Sequence, residues 1–150
     1  MSARIIVMAT DFSKSSDLAL DMALALARDL RAELTLVHVQ APVVVLPPPF
    51  ELLSMPTLFP DLPRRIEEQM ETRAARAREA GVPCQLELRD GNPPAEIVRL
   101  AEERKAGLVV LGTHGHGGLT GGLRHVLGSV AERVIHRATC PVLVVPDRGS

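Results

Sequence analysis

Five short runs of strand length, separated by segments of helical length, constrain the fold of this 150-residue chain more than any other feature. Four of the runs are mostly apolar, and the third along the chain shows partial alternation of polar and apolar residues. An apolar run of strand length is typical of a strand that other elements cover on both faces. The five runs are RIIVMA (4–9), ELTLVHV (33–39), CQLELR (84–89), LVVLGT (108–113) and PVLVVP (141–146). The chain therefore predicts a sheet of five strands.

Helical patterns lie between these strands. Ser13 is placed to cap the first helix, and Gly81 is a typical residue just beyond the end of the second, which we expect from Pro63 to Ala80 with a solvated polar face. The GNPP segment (91–94) opens the third helix, where proline suits the first turn. A capping box of the form S-x-x-E at Ser129–Glu132 begins the fourth, which we expect from about Val130 to Ala138.

Apolar repeats mark the helix residues that we expect in the core. The first helix repeats leucine or methionine every four residues, and methionines elsewhere fill gaps between larger side chains. The expected core residues are Leu18, Met22, Leu26 and Leu30 in the first helix, Ile97, Leu100 and Ala101 in the third, and Met8 and Met70 elsewhere.

Strands that alternate with helices predict an α/β fold of one domain, with an open parallel sheet, right-handed crossovers and helices on both faces. We expect the strand order 3-2-1-4-5, in which ligands bind beyond the carboxyl ends of the first and fourth strands. These ends read ATDFS (9–13) and LGTHG (111–115). Seven of the twelve prolines lie between Pro42 and Pro63, and we interpret the segment at about 41–62 as a long surface excursion of the same domain.

Composition excludes several functions. A net charge of −1 gives no basic surface for nucleic acid, and no apolar run reaches the length of a membrane span or a signal peptide, so we expect a cytoplasmic protein. Cys84 and Cys140 are then expected as buried, reduced thiols. Because Trp and Tyr are absent, flavin binding and base stacking have little aromatic surface to use.

The segment GTHGHGGLTGGLRHVLGS (112–129) contains seven of the eleven glycines. Each flexible glycine costs about 0.4–1 kcal/mol of unfolded-state entropy relative to alanine. A glycine loop that leads into a helix offers backbone N–H groups and the positive end of the helix dipole, which suit phosphate. Such hydrogen bonds contribute about 1.5–3 kcal/mol each to a charged acceptor and could offset the entropy. The alternative is a plain flexible linker.

The loop matches neither G-x-x-x-x-G-K-[ST] nor G-x-G-x-x-G after the first strand. Gly115, Gly118, Gly128 and Ser129 instead follow the spacing G-2x-G-9x-G-[ST], and with them the chain resembles the universal stress protein family. The resemblance extends to ATDFS, LVHV, GNPPAEI and GSVAERVIHRATCPVLVVP, and covers the chain except for the proline-rich excursion.

One departure from the family pattern leaves two registers open. Gly112–Gly115 matches the G-[ST]-H-G that directly follows the fourth strand in the family, but twelve residues then separate Gly115 from Gly128. Either the loop carries a three-residue insertion, or the motif is shifted by three residues. Gly118 belongs to the motif only in the shifted register.

The nucleotide-binding branch of this family implies ATP, or ADP or AMP, with or without Mg²⁺, as the ligand. By resemblance, Asp11 contacts the ribose or lies beside it, Val39 lines the adenine, and Ser129 binds phosphate. An alternative role for Asp11 is that of an acidic residue at a helix N-terminus. The full set implied is Ala9, Thr10, Asp11, Val39, Leu111, Gly112, His114, Gly115, Gly118, Gly128, Ser129 and Val130.

Three functions remain open: a dimeric nucleotide-binding regulator, which we favour, a slow ATPase, and a scaffold that has lost nucleotide binding. Hydrolysis usually needs a lysine or arginine and a bound magnesium, and the loop has no lysine or carboxylate pair, so we predict no catalytic residue. His114 and His116 have no cysteine or carboxylate beside them, which disfavours a metal site. By resemblance, strand 141–145 pairs with its copy to form a homodimer.

Overall fold

Strands and helices alternate along the described residues of the computed structural model, which are 4–41, 61–113 and 127–147. In chain order they are β1 (Ile5–Ala9), α1 (Lys14–Leu30), β2 (Glu33–Gln40), α2 (Leu62–Glu79), β3 (Cys84–Asp90), α3 (Pro93–Arg104), β4 (Leu108–Gly112), α4 (Ser129–Arg137) and β5 (Val142–Val145). Each predicted strand and helix is present close to its expected bounds. Nearly all of the proline-rich segment at 41–62 lies outside the described residues.

The five strands form one parallel sheet in the order β3-β2-β1-β4-β5, as predicted. β1 lies at the centre, where Met8 is paired with Leu36 of β2 and Val110 of β4. The chain adds β2 and β3 on one side of β1 and then crosses over to add β4 and β5 on the other. The strand order therefore reverses between β1 and β4, and this is the position that the sequence predicts for a ligand.

Two hydrophobic cores lie on opposite faces of the sheet, because successive strand residues point to opposite sides. Ile6 and Met8 of β1 pack on the face covered by α1 and α2, which we call the α1/α2 face. Val7 packs on the other, the α3/α4 face. The fully buried helix residues include Leu20 of α1, Met70 of α2, Leu100 of α3 and Val134 of α4. Helices thus cover both faces, as the alternation of elements predicts.

α1 buries a different side from the one that its leucine repeat predicts. Met22 and Leu30 are 43% and 51% exposed, and Leu18 and Leu26 are only half-buried. Met8 and Met70 are core residues as predicted, whereas the assignment of Met22 to the core is wrong. Small side chains let the helix lie close to the sheet, and a count of large apolar residues does not detect them. The side that is buried consists of Ser15, Ser16, Ala19, Leu20, Ala23, Leu24 and Ala27.

The ends of the first three helices follow local sequence. The Ser13 side chain accepts a hydrogen bond from the backbone N–H of Ser16 at 3.2 Å and so caps α1. Beyond α2, Gly81 has a φ of 75°, a left-handed conformation that glycine adopts without strain. Asn92 caps α3, whose first turn contains Pro93 and Pro94. No helix within the described ranges combines the length and apolar character needed to cross a membrane.

Both cysteines are free thiols, in agreement with the sequence. Cys84 begins β3 and Cys140 precedes β5, so they lie at opposite edges of the sheet. Both side chains are half-buried rather than buried. Desolvation raises the pKa of each thiol above its ordinary value, so both remain protonated at neutral pH.

Candidate functional site

The site implied by the sequence lies at the carboxyl ends of β1 and β4, two neighbouring strands of the sheet. Met8 is paired with Val110, so the chain leaves the sheet at nearly the same level on both strands. The turn that carries Asp11 follows β1, and the glycine-rich loop follows Gly112 at the end of β4. Two segments that are distant in sequence thus begin side by side.

Three of the implied residues lie on one face of the sheet. Ala9, Val39 and Leu111 come from three different strands, and all three contact the core of the α3/α4 face. That core also contains Ala131 of α4, next to the first turn of the helix. Ala9 and Val39 are half-buried and Leu111 is 4% exposed, so the accessible part of this apolar face lies at Ala9 and Val39. The face lies beside the N-terminus of α4, the arrangement needed if a base is to lie on the sheet while phosphates reach the helix.

α4 begins differently from the capping box that the sequence predicts. The N-cap is Gly128, with φ −64° and ψ 156°, and Ser129 is already the first helical residue. Ser129 therefore does not cap the helix, and among the described residues no other side chain does. The N–H groups in the first turn of α4 have no intrahelical acceptor, and the positive end of the helix dipole lies beside them. Ser129 and Val130 are exposed, and Glu132 supplies one acidic group to the same turn.

A hydrogen bond joins the two ends of the glycine-rich loop, and a second one ties its first end to the segment after β5. The N–H of Gly128 donates to the carbonyl oxygen of Thr113 at 2.7 Å. The hydroxyl of Thr113 accepts from the N–H of Asp147, beyond β5, at 3.4 Å. Since the Gly128 N–H already has this partner, the N–H groups of α4 that have no intrahelical acceptor begin with Ser129.

Gly112 is required by the packing of α1. A Cβ at this position would lie 2.6 Å from Oγ, 2.8 Å from the carbonyl oxygen and 2.9 Å from the carbonyl carbon of Ser15. These distances are shorter than any van der Waals contact allows, and two of the three atoms belong to the helix backbone. The glycine at the start of the loop thus permits the close approach of α1 to β4, whatever else it does.

The turn that follows β1 is tightly bonded. The carboxylate of Asp11 accepts a hydrogen bond from the N–H of Ser13 at 2.9 Å, which orients this half-buried side chain. Thr10 is 4% exposed, and its hydroxyl accepts from the N–H of Phe12 at 3.0 Å and lies 3.1 Å from Oγ of Ser16. Because the Thr10 hydroxyl is buried against α1, only the backbone of Thr10 could line a ligand site.

Three residues at this turn escape the sequence analysis. Phe12 has a φ of 67°, and its ring lies between the imidazole of His38 and the guanidinium of Arg73. Arg73 is 6% exposed, which contradicts the prediction that the polar face of α2 is solvated. No pattern in the sequence separates this arginine from the others on α2, because its partners lie on α1 and after β1.

The remaining implied residues, His114, Gly115 and Gly118, lie outside the described residues, as does His116. The choice between the two loop registers therefore stays a prediction. Among the residues that the structure does describe, no group of three or more histidine, cysteine or acidic side chains could hold a metal ion.

Comparison with known proteins gives consistent matches along the chain. The family model described as the universal stress protein family matches residues 2–146. A universal stress protein of Methanocaldococcus jannaschii is 41% identical over 144 residues, which cover 93% of this chain and 80% of the relative.

Two solved structures of similar fold contain nucleotides. One is a universal stress protein in complex with cAMP, with a TM-score of 0.70, 27% identity and coverage of 97% of this chain and 98% of that one. The other is the universal stress protein from Archaeoglobus fulgidus in complex with dAMP, with a TM-score of 0.66, 25% identity and coverage of 96% and 98%.

Proposed function

The chain belongs to the universal stress protein family, and we propose that it is a regulatory module that binds an adenine nucleotide between β1 and β4. The base lies on the surface formed by Ala9, Val39 and Leu111, and the ribose lies beside Asp11. The phosphates meet the N-terminus of α4 at Ser129 and Val130. ATP is the proposed physiological ligand, with ADP and AMP as alternatives and Mg²⁺ as a companion ion.

The observation that carries this proposal is the uncapped start of α4. A helix N-terminus without a side-chain cap leaves first-turn N–H groups that need an acceptor, and an anion supplies one. This helix begins where the glycine-rich loop returns to the sheet, and Ala131 in its first turn packs in the same core as Ala9, Val39 and Leu111. The two relatives in complex with cAMP and dAMP support an adenine nucleotide as the anion.

Regulation is a better fit than catalysis. Within the described residues, Asp11 is the only acidic side chain that we assign next to the ribose, so the proposed site has no pair of carboxylates. Arg73 reaches this turn from the α1/α2 face, which is opposite to the proposed nucleotide. Phosphoryl transfer usually needs a lysine, an arginine or a metal ion at the transferred group. A slow ATPase and a nucleotide-independent scaffold remain the alternative functions, and the cytoplasmic location remains a prediction.

Nucleotide binding is tested first by denaturing the purified protein and identifying any released small molecule by mass spectrometry, then by calorimetric titration with ATP and Mg²⁺. Asp11→Asn keeps an oxygen that can accept from Ser13 N–H but removes the charge. Loss of a charged hydrogen bond should weaken affinity by about 10- to 150-fold. Asp29→Ala, at the exposed far end of α1, is the matched control and should bind as the wild type does. Absence of binding in the wild type would favour the scaffold.

A homodimer through β5 is the second part of the proposal. β5 is an edge strand with half-buried apolar residues, and an uncovered apolar edge invites pairing. α1 and α4 both contact β5 and expose Met22 and Ile135, which are 43% and 42% exposed. We expect a dimer by sedimentation velocity that Met22→Glu weakens. Leu86→Glu, at a similarly exposed position on the opposite edge strand, should not. A stable monomer at micromolar concentration would refute the dimer.

A further inference from the structure

The turn that carries Asp11 contains a residue in an unusual backbone conformation. Phe12 has a φ of 67°, in the left-handed region, where a bulky side chain is an outlier. Such conformations persist only where surrounding contacts determine them, and they concentrate at functional sites. Phe12 directly follows Asp11, so whatever keeps Phe12 in this conformation also determines where the Asp11 carboxylate points.

A buried arginine on α2 supplies the first of these contacts. Nε and Nη2 of Arg73 donate to the two carboxylate oxygens of Asp17 at 2.8 and 3.1 Å, in a bidentate pair. Nη1 donates to the side chain of Gln69 at 2.6 Å and to its carbonyl oxygen at 3.1 Å. Nη2 also reaches the carbonyl oxygen of Phe12 at 3.4 Å. Arg73 thus joins α2 to both α1 and the turn.

The ring of Phe12 contacts the side chains of Arg73 and His38. The guanidinium carbon of Arg73 lies 5.0 Å from the ring centroid, within the range of a cation–π contact. On the β2 side, the centroid of the His38 ring lies 4.4 Å away. Nδ1 of His38 lies 2.8 Å from the carbonyl oxygen of Thr10, and must carry the proton to donate to it. Arg73 of α2 and His38 of β2 therefore hydrogen-bond to the carbonyl oxygens of Phe12 and Thr10, the two residues that flank Asp11.

These contacts come from the side of the sheet opposite to the proposed nucleotide. Phe12 packs on the core of the α1/α2 face, whereas Ala9, Val39 and Leu111 lie on the α3/α4 face. We propose that Arg73 is a positioning residue for the nucleotide site: it fixes the Phe12 backbone, and through it the Asp11 carboxylate, without touching the ligand. This inference rests on the proposed nucleotide binding.

α2 offers a matched control. Arg76 is one turn further along the helix and pairs with Asp21, so it also joins α2 to α1. The pair is largely exposed, and within the described residues Arg76 makes no hydrogen bond to the turn. If Arg73 merely attaches α2 to α1, then Arg73→Lys and Arg76→Lys should have similar consequences. If Arg73 positions Asp11, only the first should change the site.

The experiment uses the full chain and two measurements. Calorimetric titration with ATP and Mg²⁺, and separately with AMP, gives the affinity. Amide hydrogen exchange of the nucleotide-free protein gives the protection of the Phe12 and Ser13 N–H groups, which bond to Thr10 and Asp11. Arg73→Lys keeps a charge beside Asp17 but cannot make the forked contacts. We expect a loss of affinity of about 2- to 30-fold, faster exchange at Phe12 and Ser13, and no effect of Arg76→Lys on either measurement.

A double-mutant cycle separates positioning from general destabilisation. If Arg73 acts through Asp11, Arg73→Lys should weaken affinity much less in the Asp11→Asn background than in the wild type. Equal effects in both backgrounds, or wild-type affinity in folded Arg73→Lys, would overturn the inference and leave the proposed function intact. Should Arg73→Lys fail to fold, Phe12→Leu removes the ring contacts and must show the same loss of affinity and protection.

Failure of the proposed function is distinguishable. If the wild type binds neither nucleotide, that function is refuted. Amide exchange in the nucleotide-free protein then decides whether Arg73 positions the turn: unchanged exchange at Phe12 and Ser13 in Arg73→Lys would overturn the inference as well.

Discussion

Replacing Gly112 by alanine tests whether the first glycine of the loop serves packing. The added methyl group would lie 2.6 Å from the Ser15 hydroxyl oxygen, which can rotate away. It would also lie 2.8 and 2.9 Å from the Ser15 carbonyl oxygen and carbon, which can move only if the first turn of α1 moves. α1 is anchored there by its Ser13 cap and by buried Ser16. The collision therefore cannot be relieved locally.

The expected loss of stability follows from two opposing effects. Inserting a methyl group into packed structure costs about 1–3 kcal/mol. Replacing glycine by alanine lowers the entropy of the unfolded chain and stabilises by about 0.4–1 kcal/mol. Because two of the three colliding atoms belong to the backbone, the cost should lie in the upper half of its range, so the net loss should be about 1–2.6 kcal/mol. In a domain of this size, that loss lowers Tm by about 2–10 °C. Urea denaturation followed by circular dichroism measures the free energy of unfolding, and a thermal scan checks it.

A second background identifies the colliding atoms. In Ser15→Ala the hydroxyl is gone but the two backbone atoms remain. Gly112→Ala should therefore lower the free energy of unfolding in this background by most of the amount seen in the wild type. The reasoning would be refuted if Gly112→Ala were as stable as the wild type or more stable, because the collision would then cost no more than the entropy effect contributes. Disappearance of the loss in the Ser15→Ala background would instead show that only the hydroxyl collides.

Three further results are expected. Gly128→Val places a branched side chain at the N-cap of α4 and should abolish nucleotide binding; normal affinity by titration would mean that phosphate does not approach there. Because burial raises the pKa of Cys84 and Cys140, alkylation by iodoacetamide should be slow at pH 7 and accelerate as the pH rises above the ordinary thiol value; fast reaction at pH 7 would contradict this. The hydrogen bond from Arg89 lowers the pKa of Glu103, so its contribution to stability is present above the unfolded-state pKa and is lost as the pH falls through the folded-state value. The stability difference between the wild type and Glu103→Gln in urea should therefore be larger at pH 7 than at pH 3, and an equal difference at both would refute the assignment.

The fold is well predicted from sequence because its determinants are local or general. Four of the strands are short, mostly apolar runs and β3 shows partial alternation, and Ser13, Asn92 and Gly81 act through bonds and φ angles within a few residues of themselves. Once strands alternate with helices, the handedness of crossovers leaves few sheet orders to consider. The order β3-β2-β1-β4-β5 and the position of the switch point then follow.

The errors concern contacts between distant segments. α1 buries a side made of serines, alanines, Leu20 and Leu24 instead of its predicted leucine repeat. Gly112 lets the first turn of that side lie close to β4. Ser129 is the first residue of α4 and not its cap, because Gly128 is tied to Thr113 across the glycine-rich loop. Local pattern contains none of this information.

For the candidate site, local patterns and motif spacing are enough to predict which segments meet and which family they resemble. Motif spacing pointed to the glycine-rich loop, and strand order placed that loop beside Asp11. What the individual side chains do depends on packing between distant segments. The Thr10 hydroxyl is buried against α1, and Arg73 is held beside the turn by hydrogen bonds to Asp17 and to the carbonyl oxygen of Phe12. The physical reason is that a strand or a helix end is specified by neighbours in sequence. The partner of a buried polar group is specified by neighbours in space.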